Sequence, residues 1–339
     1  MKVVTFGEIM LRLEPEGYYR FVQVDRLTST FGGAEANVAV SLANFGLDSC
    51  YVTKLPEHEI GQSAVNYLRR FGVNTKYIVR GGSRVGIYFN ERGASQRASK
   101  CIYDRANSAI ALSSGTDFDW NAIFKDCKWF HITGITPALG KNLPGICIEA
   151  CLAAKKAGAV ISCDLNYRSK LWSKETAKQV MTRICEYVDV LISNEEDAKN
   201  VFGIEAENTD VEMGKLNKEG YKSVAKQLMD RFGFKKVAIT LRESINANQN
   251  NWSALLYDGK EYCFSKMHQM MIVDRLGGGD SFAAGLIYSI LNNKTTQESV
   301  EFASAASCLK HSIEGDFNMV SIQEVEKLAM GDASGRIQR

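Results

Sequence analysis

Short apolar, β-rich runs alternate with amphipathic helical patterns along most of the chain, and this alternation limits its fold more than any other feature. Each run is nearly continuous in apolar residues, as expected of parallel strands whose two faces are both covered. Strand–helix–strand units of this kind build a parallel sheet between two helical layers. The sequence therefore predicts an α/β fold with buried strands at residues 3–7, 50–55, 129–134, 160–165, 188–193 and 236–241.

Helices are predicted between these strands. Residues 38–45 and 64–71 each carry an apolar stripe at helical spacing. Both patterns stop at a glycine, Gly46 and Gly72, the residue that most readily adopts the left-handed conformation of a helix C-cap. A later helix is expected around residues 221–232.

Two stretches, at about residues 10–30 and 75–110, interrupt the alternation. They contain β-type segments at residues 18–24, 85–89 and 98–103 but no amphipathic helix of useful length. Because the two stretches are alike in character, we expect them to pair as a small antiparallel sheet that stands off the main sheet as a lid.

One domain is expected to cover residues 1–330, with the lid as part of it. The polar and charged segment 206–219 is expected to be a surface insertion. Residues 331–339 are expected to form a loose tail.

Composition excludes several classes of protein. Of 339 residues, 45% are hydrophobic and 24% are charged, which excludes intrinsic disorder. The formal net charge of +2 gives no field that would draw the whole molecule onto nucleic acid or an anionic membrane. Because no apolar stretch approaches the roughly 18 residues of a membrane span, and the N-terminus lacks the apolar stretch of a signal peptide, we expect a cytoplasmic protein.

The 9 cysteines and 4 histidines indicate neither disulfides nor a zinc centre. The cysteines are odd in number and scattered, and none has Cys-x-x-Cys spacing, so we expect reduced core residues. Cys147 and Cys151 are one helical turn apart, but no histidine lies near them. No histidines have His-x-x-x-His spacing either, so a zinc enzyme is not expected.

The most informative segment is Gly277-Gly278-Gly279-Asp280, which precedes an apolar helical run. Three glycines let the backbone turn tightly and point several N–H groups into one concavity at the positive end of that helix, which makes an anion site. A carboxylate at the edge of such a site repels phosphate. Asp280 is instead suited to accept a proton from a hydroxyl group that attacks the phosphate, with a simple helix N-cap as the alternative role.

A second glycine motif lies near the N-terminus. Gly32 and Gly33 precede small residues and a predicted helix, which lets a ligand approach the backbone. Asn37 offers both a hydrogen-bond donor and an acceptor. By itself this motif is weak, because glycines before helices are common.

Together, the two motifs resemble the paired signatures of PfkB-type, ribokinase-like carbohydrate kinases: a Gly-Gly with Asn four residues on, and a C-terminal Asp-x-x-Gly-x-Gly-Asp. The resemblance extends from residue 1 to about residue 330 and implies a three-layer α/β fold with a central, mostly parallel sheet and a small β-sheet lid. It implies that Asp280 is the catalytic base and that Gly277, Gly278 and Gly279 stabilise transferring charge. Gly278 replaces the usual alanine, and Arg275-Leu276 replace two threonines.

Within that family the sequence is most similar to 2-keto-3-deoxygluconate kinases, because two tyrosines and two arginines match their sugar-acid residues. Guanidinium groups bind carboxylates with a planar fork, and tyrosine rings cover a sugar while hydrogen-bonding its hydroxyls. Lid packing is the alternative role for each tyrosine, and a solvated surface is the alternative for Arg105. The residues expected to bind the sugar acid are Gly32, Gly33, Asn37, Tyr88, Tyr103, Arg105, Arg168 and Asp280.

The resemblance also implies a magnesium and phosphate site. Asn194 follows a predicted strand and begins the family's Asn-x-x-Glu motif, in which Asp197 replaces the glutamate. Glu196 and Asp197 are therefore expected to hold magnesium through water. Favourable acidic residues in the first turn of a helix are the alternative reason for both.

The nucleotide contacts follow from the same resemblance. The family's glycine-containing loop is absent after the strand that ends near Arg242, and the polar segment 244–251 is expected to replace it. Small residues of a later helix are expected to let adenine lie flat, although close packing is their alternative role. The expected ATP contacts are Asn166, Arg168, Asn194, Thr240, Arg242, Gly277, Gly279 and Ser304.

The sequence therefore predicts an ATP- and Mg²⁺-dependent kinase for the terminal hydroxyl of 2-keto-3-deoxygluconate, with a monovalent cation left open as a further cofactor. Sibling kinases for 5-keto-2-deoxygluconate, fructose or ribose are the nearest alternatives, and a non-catalytic sugar-binding protein also stays open. A nicotinamide-dependent oxidoreductase is disfavoured because no Gly-x-Gly-x-x-Gly follows the first strand. We expect a homo-oligomer through the lid, and neither a nucleic-acid nor a membrane partner.

Overall fold

The computed structural model describes residues 1–194, 196–205, 217–332 and 335. Most of the predicted insertion at residues 206–219, and most of the predicted tail at 331–339, lie outside the described residues. Within the described part of the chain, no helix has the length and apolar character needed to cross a membrane.

The described residues form fifteen strands. They are β1 (Lys2–Phe6), β2 (Met10–Glu14), β3 (Thr28–Gly32), β4 (Asp48–Val52), β5 (Lys54–Leu55), β6 (Val79–Arg80), β7 (Ile87–Glu91), β8 (Lys100–Asp104), β9 (Cys127–Thr133), β10 (Val160–Asp164), β11 (Val190–Asn194), β12 (Lys236–Asn246), β13 (Gln249–Tyr257), β14 (Tyr262–Phe264) and β15 (His268–Met271).

Ten α-helices connect and cover these strands in the described part of the chain. They are α1 (Ala34–Asn44), α2 (Glu59–Arg70), α3 (Trp120–Phe124), α4 (Leu143–Lys156), α5 (Lys174–Cys185), α6 (Asp197–Phe202), α7 (Lys218–Phe232), α8 (Gly278–Leu291), α9 (Thr296–Lys310) and α10 (Ile322–Met330). The glycines predicted to end α1 and α2, Gly46 and Gly72, both adopt the left-handed conformation, with φ of 77°.

A nine-stranded sheet forms the centre of the molecule, in the order β14-β13-β12-β11-β10-β9-β1-β4, with β15 also paired to β13. The strands from β4 to β12 run parallel, and β13 to β15 add an antiparallel edge. All six predicted strands belong to this sheet, so the mostly parallel sheet is confirmed. The carboxyl ends of its parallel strands form one edge, where α/β proteins commonly bind ligands.

Two apolar layers cover this sheet. Side chains from α3, α4, α5 and α7 pack on one face, and those from α1, α8, α9 and α10 pack on the other. The predicted three-layer arrangement is therefore confirmed.

Seven of the nine cysteines are buried, and all nine are free thiols.

The prediction of a loop at residues 244–251 is wrong. The long strands β12 and β13 form an antiparallel hairpin there, with a two-residue turn at Ala247 and Asn248. Residues 242–253 belong to neither apolar layer, so the tip of the hairpin needs few apolar residues. The polar composition of this segment is therefore typical of a loop, although the segment is a hairpin. The turn contacts the lid, because Asn248 Oδ1 accepts a hydrogen bond from the backbone N–H of Ser95 at 2.6 Å.

A separate four-stranded sheet in the order β3-β2-β7-β8 confirms the predicted lid. Two details differ. The segment 18–24 is not a strand and contains only a short 3₁₀ helix at Phe21–Gln23. The lid sheet is mixed rather than antiparallel, because β2 pairs with β7 in parallel. β2 was missed because its inward positions include Arg12 and Glu14, which break the apolar alternation expected of a half-buried strand.

Candidate active site

The glycine loop lies between β15 and α8. Gly277 has a left-handed backbone, with φ of 80°, and Gly278 and Gly279 begin the helix. A side chain at Gly277 would collide with the backbone carbonyl of Asp316, and one at Gly278 would collide with the ring of His311. Asp316 and His311 therefore pack against one face of the loop, and its other face lines a cavity of about 250 Å³.

Asp280 is the third residue of α8, and its carboxylate contacts the N-terminal glycine motif. Its Oδ2 accepts a hydrogen bond from Asn37 Nδ2 at 2.7 Å, and Asn37 Oδ1 accepts one from the N–H of Gly33 at 3.2 Å. The residue before α8 is Gly277, so Asp280 is not the N-cap. The structure therefore joins two motifs that lie 243 residues apart in sequence.

The environment of Asp280 raises its pKa from the ordinary acidic value to near neutral pH. Burial raises the pKa of Asp280 to about 7, and the carboxylates of Asp316 and Glu35 add to the rise. The hydrogen bond from Asn37 and the charge of Arg168 oppose it. A carboxyl group with a pKa near the working pH is suited to general-base chemistry.

Three neighbouring parallel strands bring polar side chains to the same cavity. β10 ends at Asp164, β11 ends at Asn194, and β12 carries Thr240. Asn194 Oδ1 accepts hydrogen bonds from the N–H groups of Glu196 and Asp197, both at 2.8 Å, so it orders the start of α6.

Three arginines, Arg168, Arg242 and Arg275, also line this cavity. Arg275 Nη2 donates to the carbonyl of Ala247 at 2.9 Å, on the turn of the β12–β13 hairpin. Burial, together with the charge of Arg242, lowers the pKa of Arg275. Guanidinium groups gathered beside a glycine loop suit a polyphosphate ligand, whose charge would relieve their mutual repulsion.

A wider cavity of about 1190 Å³ continues from the first cavity beneath the lid. Tyr103 and Arg105 line it from the lid side, and the Arg105 guanidinium lies 5.4 Å from the centre of the Tyr103 ring. Both cavities share the residues Arg168, Asn194, Asp197 and Arg242. A ligand beneath the lid would therefore lie next to one on the glycine loop.

Glu8 orients Arg105. Nε and Nη2 of Arg105 lie 2.7 and 2.5 Å from Oε2 of Glu8, and the other oxygen of Glu8 accepts from Ser108. Glu8 is 2% exposed and the Arg105 side chain is 11% exposed, so the pair is nearly buried. The alternative role of Arg105, as a residue of a solvated surface, is therefore not supported.

Tyr88 lies below the cavity surface rather than on it. It is 3% exposed, and its hydroxyl donates to Oδ1 of Asp316 at 2.7 Å. A side chain at Gly32 would collide with both groups. Tyr88 therefore packs under the lid and holds Asp316, and its predicted contact with a sugar stays a prediction.

A family model described as pfkB family carbohydrate kinase matches residues 1–321. The chain belongs to this family. A solved 2-dehydro-3-deoxygluconokinase from Thermotoga maritima is 53% identical, with a TM-score of 0.94 over 98% of this chain and 100% of that one. A 2-dehydro-3-deoxygalactonokinase from Haloferax volcanii is 29% identical over 98% of both chains. A putative ribokinase II from E. coli, solved with ATP and Mg²⁺, is 20% identical, covers 97% of this chain and 99% of that one, and has a TM-score of 0.81, which supports the fold alone.

In this PfkB-type kinase, most predicted site residues meet at the two cavities. The first cavity is lined by the predicted residues Asn166, Arg168, Asn194, Asp197, Thr240, Arg242, Gly277, Gly278, Gly279 and Asp280. The second is lined by Tyr103, Arg105, Arg168, Asn194, Glu196, Asp197 and Arg242. Gly33 and Asn37 adjoin the first cavity through Asp280.

Ser304, like Gly32 and Tyr88, lines neither cavity. It is fully buried in α9, and its hydroxyl accepts a hydrogen bond from Ser265 at 3.1 Å. The structure therefore does not support the predicted ATP contact. The alternative role of small helix residues, close packing, explains Ser304.

Four residues at the site were not among the predicted site residues. Asp164 and Arg275 line the first cavity, and Glu8 and Asp316 hold the lid residues. For Asp164 a signal existed, because it ends a predicted parallel strand on the ligand-binding edge. The pairing of Glu8 with Arg105 had no local signal, because the two lie 97 residues apart.

Replacing Asp280 with Asn should stabilise the folded protein. The pKa of about 7 lies far above the ordinary value near 3.9, so ionising this carboxyl group in the folded protein lowers the free energy of unfolding. The whole of this penalty applies above pH 7. This penalty shrinks as pH falls from 7 toward 4. Thermal unfolding should show a Tm gain of about 1–3 °C at pH 8 and a smaller gain at pH 5.

Asp25→Asn serves as the control, because Asp25 is exposed. Its Tm should change by less than about 1 °C at either pH. A Tm of Asp280→Asn below that of the wild-type protein at pH 8 would show that the carboxylate is not under electrostatic stress.

Proposed function

We propose that this kinase transfers the γ-phosphoryl group of ATP to the terminal hydroxyl of 2-keto-3-deoxygluconate. The observation that carries the proposal is the position of Asp280, beside the glycine loop in the cationic first cavity, which shares four lining residues with the cavity beneath the lid. A base there would lie next to the phosphates of a ligand on the glycine loop and would face the hydroxyl of a sugar that reaches in from the lid cavity. A cytoplasmic location, where ATP is available, stays a prediction.

Asp280 would accept the hydroxyl proton as the oxygen attacks the γ-phosphorus and the bond to the β-phosphate oxygen breaks. Asn37 donates to Oδ2 of Asp280, which leaves Oδ1 for the substrate hydroxyl. The N–H groups of the glycine loop, at the positive end of α8, would stabilise charge on the transferring group. The arginines of the first cavity would hold the phosphates.

The donor set suits a magnesium ion bound to the nucleotide. Burial and the carboxylates of Asp197 and Asp280 raise the pKa of Asp164 well above its usual range. The three carboxylates therefore repel one another. Asp164 and Asp197 would hold the ion, directly or through water, and the ion would neutralise phosphate charge during transfer. This proposal adds Asp164 to the predicted pair and gives the exposed Glu196 a smaller part.

The lid cavity favours a substrate with a carboxylate. Arg105 and Arg168 both line it, and both act to lower the pKa of the intervening Tyr103, whose burial raises it. Glu8 occupies one edge of the Arg105 guanidinium and leaves Nη1 for a ligand. A sugar acid suits these two positive charges better than a neutral sugar does. The names of the relatives from Thermotoga maritima and Haloferax volcanii agree with a 2-keto-3-deoxy sugar acid.

The wild-type enzyme should phosphorylate 2-keto-3-deoxygluconate with the highest kcat/KM of a panel. The panel includes 2-keto-3-deoxygalactonate, 5-keto-2-deoxygluconate, fructose and ribose. Arg105→Gln should raise the KM for the preferred acid by at least ~30-fold, the lower bound for losing one partner of a shielded charge pair. The weak activity toward neutral sugars should change by less than about threefold, because they lack the carboxylate.

The Arg105 test needs two controls. Arg105→Gln leaves the buried Glu8 without its positively charged partner. The double variant Glu8→Gln/Arg105→Gln should therefore recover stability but not affinity for the acid. Arg84→Gln removes another lid arginine, paired with Asp104 at 3.0 Å, and should leave KM unchanged. Preference for a neutral sugar, or equal loss of both substrate classes in Arg105→Gln, would contradict the carboxylate assignment. Arg168 lines both cavities, so its replacement discriminates less.

We also propose that the outer face of the lid sheet joins two or more copies of the chain. Leu13, Phe89 and Ile102 lie in one row across β2, β7 and β8, opposite in orientation to the inward Arg12 and Tyr88. Leu13 and Phe89 are half-buried, and Ile102 is 54% exposed. An apolar row on a small sheet with free edges is suited to a symmetric contact.

Ile102→Lys should convert the oligomer to a monomer, because a lysine in the row would have to be desolvated. Light scattering at micromolar concentration measures the mass. Leu152→Lys is the matched control, since Leu152 is 49% exposed on α4, away from the lid, and should leave the mass unchanged. A wild-type protein that is monomeric, or an oligomer that survives Ile102→Lys, would rule out this interface.

A further inference from the structure

Lys310, the last residue of α9, is fully buried and has no role in the proposed chemistry. Its Nζ donates to two backbone carbonyls, that of Ile313 at 3.2 Å and that of Asp274 at 3.4 Å. A lysine is seldom buried unless its charge is matched by nearby groups. The carbonyl partners belong to two separate chain segments, and one of these segments leads into the glycine loop.

The Lys310 side chain packs directly behind the phosphate-binding loop. A Cβ at Gly277 would lie 3.3 Å from Lys310 Cε. Asp274, which begins the same loop, accepts hydrogen bonds from the N–H groups of Leu276 and Gly315, each at 3.1 Å. The ammonium group therefore bridges two chain segments beside the glycine loop, one at Asp274 and one at Ile313.

The local charge balance calls for a cation at this position. Arg12 contacts three carboxylates, those of Glu14, Asp274 and Asp316, which leaves an excess of negative charge around one guanidinium group. Burial lowers the pKa of Lys310, and the carboxylates of Asp274, Asp316 and Asp280 oppose this by favouring the ammonium form. Arg92 offsets the charge at Glu14, and Lys310 offsets it on the side of the glycine loop.

We propose that the Lys310 ammonium is a built-in monovalent cation that holds the phosphate-binding loop in its active shape. Two carbonyl oxygens around a buried positive charge would suit a small monovalent ion, and here a tethered lysine supplies that charge. The proposal rests on the proposed kinase function and answers the question of a monovalent cofactor that the sequence left open. Lys310 is a positioning residue, because it acts through the loop. The wild-type kinase then needs no potassium, sodium or ammonium ion.

Activity and nucleotide binding are measured at constant ionic strength and constant Mg²⁺ in the chlorides of potassium, sodium, ammonium and choline. The wild-type kcat, and the Kd of Mg²⁺-ATP by calorimetry, should each vary by less than about twofold among the salts. Lys310→Ala should lose ~10²-fold in kcat in choline, a loss of the size that misplaced catalytic groups cause. Potassium or ammonium should restore at least about tenfold with a saturable dependence, because each can enter the vacated space.

Two controls separate positioning from general stability. Lys294→Ala removes a lysine that pairs with Glu326 on the surface side of α8 and α9, and it should behave as wild type in every salt. Lys310→Met fills the space without a charge, so it should lose activity without rescue by any ion. Thermal unfolding confirms that each variant is folded.

The outcomes are decisive in either direction. A wild-type enzyme whose kcat and Kd for Mg²⁺-ATP depend on potassium contradicts the proposal, and this arm requires no variant to fold. A folded Lys310→Ala enzyme with full activity in choline, or one that no small cation rescues, contradicts it as well. Because the assay uses whichever sugar the wild-type enzyme phosphorylates fastest, a wrong substrate assignment leaves this test intact. If no sugar is phosphorylated, the proposed function fails, and the Kd arm still tests Lys310.

Discussion

The buried Arg12 guanidinium connects the lid to the glycine loop, and the rest of the site depends on this contact. Arg12 belongs to β2 of the lid sheet, and its partners Asp274 and Asp316 lie at distances of 2.5 and 2.6 Å on either side of the glycine loop. Desolvation opposes its charge, but the surrounding carboxylates raise its pKa above the ordinary value. Removing one partner of such a cluster is strongly destabilising, because it leaves the others buried and uncompensated.

This cluster contacts both the segment that leads into the glycine loop and a residue beneath the lid. Asp274 accepts a hydrogen bond from the N–H of Leu276, just before the loop, and Asp316 accepts one from Tyr88 beneath the lid. The same charges therefore hold the lid and the loop. Preorganised charge of this kind avoids reorganisation at the moment of reaction, which is the main electrostatic contribution to catalysis.

Much of this architecture could be predicted from local patterns in the sequence. The continuous apolar strands predicted the parallel sheet, and the glycines beside Asp280 predicted an anion site at a helix start. The contacts of Arg12 could not be predicted, because its partners Asp274 and Asp316 lie 262 and 304 residues away and nothing local to either one indicates that it pairs with Arg12. Ser304 lies in the packed core rather than at either cavity, and small residues serve packing as often as binding.

The hairpin at residues 244–251 illustrates a further limit. Residues 242–253 belong to neither apolar layer, so hydropathy does not indicate these parts of the strands, and only cross-strand pairing defines them. Arg275 was seen only as a departure from a family pattern. Its function becomes visible once the hairpin turn is shown to hold its guanidinium beside the glycine loop.

The most direct test of this account is the pH dependence of kcat/KM for the sugar acid at saturating Mg²⁺-ATP. With Asp280 as base, kcat/KM should fall tenfold per pH unit below an apparent pKa of about 7. Burial lowers the pKa of the neighbouring His311 to about 4, so that residue cannot give this limb. Asp280→Asn should be ~10²–10⁴-fold slower and should lack the limb. A limb near pH 7 that persists in Asp280→Asn, or near-normal turnover of that variant, would contradict the assignment of Asp280 as the base.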